Sequence, residues 1–317
     1  MQGVRSKVKR IITFLLCACV LFCGCVREKK NEKLKITATL FPQYDFCRQI
    51  AGDRAEVELL LPPGMESHNF EPSVADIEKI NGSDLFVFTG ENMEPWAVRV
   101  INGLHGVNAL DVSENIELCD HDDGDDHHDH HEHHEHHEHH EEKDPHIWTD
   151  PNNCIIMVRN IVDALCALDG QNADYYKANG EKYIAALVSL DEEFVKTAEN
   201  AKIKTLVHGG RASMTYFARR YGFEFLSAVD SCSSYSEPSA RKLTEMINFI
   251  KENNIKVVFF EELSEPKFAK IISEETGAEM LLLHTCHNLS KSDFEKGETY
   301  ISLMKQNAEN IKKAVGE

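Results

Sequence analysis

The chain has 317 residues, with 34 lysines and arginines against 53 aspartates and glutamates, a net charge of −19. This length allows one large domain or two ordinary ones. The acidity excludes a nucleic-acid-binding surface, because such a surface needs clustered lysine and arginine. Histidine is the unusual residue of the composition, since eleven of the 17 histidines lie within residues 121–140.

Residues 1–24 have the pattern of a lipoprotein signal peptide. Basic residues precede an apolar run from Ile11 to Val26, which is short for a membrane-spanning helix of about 20 residues. A small residue directly before Cys25 resembles a bacterial lipoprotein cleavage site, so Cys25 is the predicted lipidated residue and Cys23 the alternative. An uncleaved anchor and a plain secreted protein remain the other interpretations. All of them place the rest of the chain outside the cytoplasmic membrane.

From Leu34 onward, short apolar runs alternate with helix-length amphipathic stretches, a pattern typical of parallel α/β sheets. We predict an α/β fold with an N-terminal lobe over residues 34–170, a connecting helix over 171–201 and a C-terminal lobe over 202–317. Each lobe is predicted to be a small parallel sheet with flanking helices. The predicted strands are Leu34–Leu40, Val57–Leu61, Leu85–Phe88, Asn108–Val112, Lys204–Val207, Phe223–Val229, Lys256–Phe260 and Glu279–Leu283.

The helices are predicted from apolar periodicity and from their start signals. The stretch Asn172–Asn200 contains no proline and keeps a helical period, so we expect one long, rigid connecting helix. Two helices broken near Gly180 are the alternative. The other predicted helices are Gln43–Ala51, Ser73–Ile80, a helix from Pro151 to about Leu168, Arg211–Tyr221, Ser239–Asn253 and Pro266–Thr276.

Residues 120–142 form a low-complexity segment with eleven acidic residues, eleven histidines, one glycine and no apolar residue. Such a segment cannot bury enough surface to offset its ordering entropy, so it is predicted to be disordered without ligand. We expect it to offer weak accessory zinc sites. The histidines concerned are His121, His127, His128, His130, His131, His133, His134, His136, His137, His139 and His140.

Four histidines outside that segment lie where ligands are expected: His68, His146, His208 and His284. The last two directly follow predicted strands, and the first two lie in loops stiffened by proline. Ligands bind beyond the carboxyl ends of the strands in open parallel sheets. All four side chains could therefore meet in one cleft.

Two motifs resemble a known family, the metal-binding subunits of bacterial ABC importers for zinc and manganese. The family's proline-glycine-histidine motif matches Pro62–Pro72, and its Asp-Pro-His-x-Trp-x-Asp-Pro motif matches Asp144–Pro151. The resemblance extends from Leu34 to the C-terminus. It implies two α/β lobes joined by one long helix, with one metal ion between the lobes. It also implies that three imidazole ligands are shared with the family: His68, His146 and His208.

The fourth family position follows the last strand and is often aspartate. Here it is assigned to His284, with His287 three residues further on as the alternative. Imidazole nitrogen suits Zn²⁺, whereas carboxylate-rich sites suit Mn²⁺ better, so we predict one tight zinc site. Glu71, Asp150 and Glu261 are candidates for orienting the ring N–H groups. Ordinary helix capping or surface charge is the alternative for these three acids.

The resemblance implies an extracytoplasmic, lipid-anchored receptor that captures zinc and delivers it to an ABC permease powered by a separate ATPase. We expect a monomer that is not an enzyme. A receptor for manganese or another divalent metal and a metal-dependent surface adhesin are the alternatives. An exported zinc hydrolase is disfavoured, because the sequence contains no HExxH motif.

Six cysteines lie outside the signal region, and none of them forms a CxxC pair. A thiolate zinc site is therefore not expected. Cys232 and Cys286 both fall just after predicted strands, and in an exported protein they could form a disulfide. Free buried thiols are the alternative.

Overall fold

The first half of the chain folds around a parallel sheet. The computed structural model describes residues 33–120, 143–211, 213–229 and 237–316. The strands of this half are β1 (Leu34–Ala38), β2 (Ala55–Leu59), β3 (Leu85–Phe88) and β4 (Ala109–Asp111), and its helices are α1 (Phe41–Ala51), α2 (Val74–Asn81) and α3 (Pro95–Gly103). The strands pair in the order β2-β1-β3-β4, and all neighbours are parallel.

The second half repeats this arrangement. Its strands are β5 (Thr205–Arg211), β6 (Glu224–Val229), β7 (Val257–Phe260) and β8 (Glu279–Leu282), paired in parallel in the order β6-β5-β7-β8. Two similar sheets confirm the predicted fold class. Between the two halves lie helices α4 (Pro151–Leu168) and α5 (Ala173–Asn200). The remaining helices are α6 (Thr215–Tyr221), α7 (Ala240–Glu252), α8 (Lys267–Thr276), α9 (Lys291–Lys296) and α10 (Tyr300–Val315).

Two consecutive helices connect the sheets, α4 (Pro151–Leu168) and α5 (Ala173–Asn200). Helix α5 has 28 residues and is unbroken, which corresponds to a length of about 42 Å. Gly180 does not interrupt it. A Cβ atom at this position would lie 2.5 Å from Val162 Cγ2, so the glycine allows the two helices to pack closely.

The lobes are held together by buried hydrogen bonds as well as by apolar packing. The hydroxyl of Tyr183 on α5 donates to Asp45 Oδ2 at 3.0 Å, and the backbone N–H of Tyr300 donates to the same oxygen at 2.9 Å. Trp148 Nε1 donates to the carbonyl of Thr285 at 2.8 Å. Separating the lobes would leave these buried groups unpaired, which is costly. Leu34–Glu317 accordingly form one compact unit.

Strand β5 differs most from its prediction. It was expected to end at Val207 and to be followed by a helix from Arg211, but it continues to Arg211 with a shift of register after His208. A Cβ atom at Gly209 would lie 2.5 Å from the backbone of Ala269 on α8. Glycine thus lets the strand run on beneath that helix. His208 consequently lies inside the strand and not beyond its end.

Several predictions fall outside the described residues: the signal peptide, Cys25, the histidine-rich segment 121–142 and Cys232. The pairing of Cys232 with Cys286 therefore stays a prediction. Cys286 is buried and forms no disulfide with another described cysteine. Among the helices in the described ranges, none is long and apolar enough to span a membrane.

Candidate metal centre

A small polar cavity lies between the lobes, beyond the carboxyl ends of the strands. Its centre has room for one water-sized particle, about 10 Å³, and the cavity is partly open to solvent. The residues that line it are Glu66, His68, His146, Arg211, Ser213, Glu261 and His287. Both lobes contribute to this set.

The ring of His146 is held in place by Asp144. Asp144 Oδ1 accepts hydrogen bonds from the backbone N–H of His146 at 2.8 Å and from its ring Nδ1 at 2.7 Å. Burial alone would raise the pKa of Asp144, but the hydrogen bonds and charge of His146 outweigh it and hold that pKa below its usual range. Because Nδ1 donates to the carboxylate, Nε2 is left with its lone pair toward the cavity.

His68 reaches the same point from the loop after β2. That loop is tied to the C-terminal lobe, since Gly64 N–H donates to the carbonyl of Leu289 at 2.8 Å and Asn288 Nδ2 donates to the carbonyl of Pro62 at 2.9 Å. The Nε2 atoms of His68 and His146 are 3.2 Å apart. Two histidines predicted from sequence are thus adjacent in space.

His287 supplies the third imidazole, from the loop after β8. Its Nδ1 is hydrogen-bonded to the hydroxyl of Thr285, which also donates to Glu262 Oε1 at 2.8 Å. Its Nε2 lines the cavity and has no hydrogen-bond partner among the described residues. Cys286 has a φ of 62°, a left-handed conformation that is costly for a side chain with a Cβ atom. This turn gives His284 and His287 different surroundings.

Two carboxylates and a guanidinium complete the lining. Arg211 Nη2 donates to Glu66 Oε2 at 2.8 Å and to Glu261 Oε1 at 3.2 Å. Burial would raise the pKa of Glu66, but His287 and Arg211 together lower it to about 2. Glu66 is therefore a charged partner of Arg211. Ser213 Oγ is buried and has no partner in the described structure.

Two of the cavity histidines, His68 and His287, favour the neutral form. Burial, and then the charges of His146 and His287, lower the pKa of His68 to about 3. Burial also lowers the pKa of His287, against the opposing effect of Glu262 and Glu66. Neutral imidazole is the form that binds a metal ion. These two rings therefore favour the protonation state that ligation requires.

His208 and His284, both expected to be ligands, do not line the cavity. His208 is buried in β5, where its Nδ1 accepts a hydrogen bond from Gly210 N–H at 3.0 Å and its ring stacks on Phe225. His284 Nδ1 accepts from Cys286 N–H at 3.1 Å and lies 3.2 Å from Glu262 Oε1. The cavity contains His287 instead, the alternative left open for the fourth position.

The three acids expected near the rings have different surroundings. Glu261 lines the cavity. Asp150 caps α4 by accepting from Asn152 N–H at 2.8 Å. Glu71 is exposed, with Arg99 3.9 Å away. Sequence reasoning did not identify Glu66, Arg211 or Ser213. A signal for Glu66 was available, because it lies two residues before His68 in the proline-glycine loop.

In the described ranges, no three histidine, cysteine or acidic side chains yet stand close enough around one point to hold a metal ion. The cavity residues therefore have to shift slightly when an ion binds. The Nε2 atom of His287 is 3.7 Å from Glu66 Oε1, so the displacements needed are small. The arrangement can collect imidazole and carboxylate ligands from both lobes around one ion.

Two parallel α/β lobes, one long helix between them and a small cavity rich in imidazole define the class: a solute-binding receptor for a metal ion. The chain belongs to the family described as zinc-uptake complex component A, periplasmic, whose sequence profile matches residues 36–314.

Characterised relatives agree with this family. The high-affinity zinc uptake system protein ZnuA of Bacillus subtilis is 36% identical over 309 residues, which cover 94% of this chain and 95% of that protein. The zinc-binding lipoprotein AdcA of Streptococcus pneumoniae is 33% identical over 322 residues, and the match spans 98% of this chain but 62% of AdcA.

Solved structures show the same fold. The Zn(II)-bound ZnuA-like domain of Streptococcus pneumoniae AdcA superposes with a TM-score of 0.75 at 31% identity, covering 90% of this chain and 100% of that domain. The laminin-binding protein Lmb of Streptococcus agalactiae, described as having adhesin and metal-transporting activity, gives 0.74 at 27% identity, covering 89% and 99%.

Proposed function

We propose that this protein is the extracytoplasmic solute-binding component of a zinc ABC transporter. The observation that carries the proposal is that three imidazoles, His68, His146 and His287, line one small cavity between the lobes. Membership of the zinc-uptake family and the zinc-binding relatives support the choice of metal. Imidazole nitrogen is also a preferred ligand type for Zn²⁺.

The proposed ligands are the Nε2 atoms of the three cavity histidines and one carboxylate oxygen of Glu66. Three imidazoles and a carboxylate make a four-coordinate shell of the kind zinc favours. Glu66 supports this assignment because its Oε1 atom is 3.7 Å from His287 Nε2. His208 and His284 stay predicted ligands that nothing in the structure tests; they are left out of this set because they do not line the cavity.

The transport partners follow from the family. The receptor passes zinc to a permease in the cytoplasmic membrane, and a separate ATPase supplies the energy. A lipid attached at Cys25 keeps the receptor at the membrane surface, in line with the relative named as a lipoprotein. The receptor acts as a monomer.

The same site disfavours a hydrolase. A catalytic zinc needs an open coordination position for water and for a substrate carbonyl or phosphoryl group. The proposed shell of three imidazoles and one carboxylate fills all four positions of a tetrahedral zinc ion. Membership of a zinc-uptake family also supports a receptor over an enzyme.

The test is competitive titration of metal-free protein with zinc and manganese, using a chelator of known affinity, together with elemental analysis. We expect one tight site that prefers zinc. His287→Gln should weaken that site at least about tenfold, whereas His284→Gln and the exposed control His105→Gln should not. A tight site that prefers manganese, or one lost in His284→Gln but kept in His287→Gln, would overturn the proposal.

A further inference from the structure

A permanent positive charge lies in the cavity proposed for a cation. The guanidinium of Arg211 lines it together with the three imidazoles. Arginine stays protonated at every physiological pH, so it cannot leave the field of an incoming metal ion by losing its proton. Its presence therefore opposes metal binding unless the side chain has another role.

We propose that Arg211 is a built-in cation that competes with the metal ion for the cavity carboxylates. It stabilises the empty receptor and limits how tightly zinc is held. This inference rests on the proposed function, because it concerns the same cavity.

The ion pairs of Arg211 join the two lobes. One nitrogen, Nη2, contacts Glu66 of the N-terminal lobe at 2.8 Å and Glu261 of the C-terminal lobe at 3.2 Å. The side chains of Arg211, Glu66 and Glu261 are 13%, 25% and 9% exposed. Solvent screens such a pair less than it screens a surface pair. In the absence of metal, Arg211 thus neutralises carboxylates that would otherwise repel each other.

Glu66 contacts Arg211 and also lies close to the proposed metal ligand His287. Its Oε2 atom accepts from Arg211, and its Oε1 atom lies 3.7 Å from the unpartnered Nε2 of His287. A metal ion bound by His287 would therefore draw on the carboxylate that Arg211 already holds. Arg211 and the metal ion compete for the carboxylate of Glu66, so each makes the interaction of the other with this carboxylate less favourable.

The irregular end of strand β5 determines where Arg211 lies. The register of the strand shifts between His208 and Arg211. The two intervening glycines fit where larger residues would not, because a Cβ atom at Gly210 would lie 3.0 Å from His208 Cε1. This local irregularity carries Arg211 into the cavity and keeps His208 in the sheet.

A purely structural ion pair predicts a different result. If Arg211 only held the lobes together, removing it would destabilise the protein and also loosen the metal site. If it competes with the metal, removing it destabilises the empty protein but tightens metal binding. The sign of the change in zinc affinity separates the two roles.

The experiment compares full-length Arg211→Met and Arg211→Lys with wild type. Zinc affinity is measured by chelator competition, zinc release by stopped flow, and thermal unfolding with and without zinc. Arg220→Met is the matched control, since Arg220 pairs with Asp191 at 2.6 Å and with Asp150 at 3.3 Å outside the cavity.

We expect Arg211→Met to bind zinc at least about tenfold more tightly, because a like charge near the ion is removed. It should also release zinc more slowly and melt at a lower temperature when empty. Arg211→Lys, which keeps the charge, should stay close to wild type. Arg220→Met should lower the melting temperature and leave zinc affinity unchanged.

Zinc binding by Arg211→Met that is unchanged or weaker than wild type overturns the inference. Wild-type protein without a one-to-one zinc site would instead defeat the proposed function. Should Arg211→Met not fold, Arg211→Gln, which also removes the charge, provides the test. The inference requires Arg211→Gln to bind zinc more tightly than wild type, and unchanged or weaker binding would contradict it.

Discussion

At the residue scale, two cavity imidazoles are backed by buried carboxylates on the side away from the cavity. Asp144 holds Nδ1 of His146 directly, and Glu262 reaches Nδ1 of His287 through the hydroxyl of Thr285. Such partners fix the ring orientation and the tautomer of a ligating histidine. They leave Nε2 of each ring for the metal ion.

We predict that Asp144→Asn weakens zinc binding by about 10–100-fold while the fold is retained. A neutral amide accepts the hydrogen bond from His146 Nδ1 less strongly than the carboxylate does. The tautomer that carries its proton on Nδ1 is then less favoured. Chelator competition and circular dichroism measure the two effects. Glu71→Gln is the control, since this exposed acid lies away from the cavity, and a comparable loss there would contradict the geometry.

The lowered pKa of His68 predicts an acid-sensitive empty protein. The pKa of histidine in the unfolded chain is about 6.5, whereas in the folded protein the pKa of His68 is lowered to about 3. Between these values the unfolded chain binds a proton that the folded protein does not, so stability falls as the pH falls.

Chemical denaturation of metal-free protein between about pH 7 and pH 5 tests this expectation. We expect the free energy of unfolding to drop with decreasing pH, approaching about 1.4 kcal/mol per pH unit for each such histidine below pH 6. His68→Gln should reduce the slope, and His105→Gln should not. An identical slope in wild type and His68→Gln would contradict a neutral, buried His68.

At the element scale, β5 depends on close approach to α8. A methyl group at Gly209 would lie 2.5 Å from the backbone of Ala269. Unlike the end of a flexible side chain, this helical backbone cannot move aside. We predict that Gly209→Ala destabilises the protein by about 1–3 kcal/mol, measured by urea unfolding. Gly103→Ala, with no atom within 4 Å of the added carbon, should be close to neutral, and equal effects would contradict this packing.

The histidine-rich segment is predicted to be an accessory that the fold does not need. Asp120 and Lys143, which flank it, pair in an antiparallel bridge, so residues 121–142 can be replaced by a short glycine-serine linker. The composition predicts a disordered segment, and a metal site in a disordered chain must first order it, at about 1–2 kcal/mol per residue. Its sites should therefore be weaker than the cavity.

We expect the deletion to lower the number of zinc ions bound at saturation, measured by elemental analysis, and to leave one tight site. It should slow growth only when zinc is scarce. Loss of the tight site from a deletion protein that still folds would show that the segment supplies a primary ligand.

The strands and the long helix could be predicted because short apolar runs and the period of α5 are local signals. The end of β5 could not, because it depends on the distant residue Ala269. That boundary places His208, a predicted ligand, inside β5 and Arg211 in the cavity lining. The different surroundings of His284 and His287 likewise depend on Glu262 and on the backbone turn at Cys286, and neither has a sequence pattern of its own.

At the scale of the whole molecule, hydrogen bonds join the two lobes that line the cavity. Trp148 Nε1 donates to the carbonyl of Thr285, and Asn288 Nδ2 donates to the carbonyl of Pro62. Among the described residues, no three ligating side chains surround one point closely enough to hold a metal ion, so we expect metal binding to move side chains of the cavity. We expect the exchange of cations around Glu66 to contribute most to the free-energy difference between the metal-free and metal-bound forms.

The central claim is that one zinc ion binds between the lobes to His68, His146 and His287. Anomalous diffraction at the zinc absorption edge, from crystals of the zinc-loaded protein, tests it most directly. We predict one strong peak in the cavity, at about 2.0–2.1 Å from Nε2 of each of the three rings. A peak coordinated by His208 and His284, or located outside the cavity, would contradict the claim.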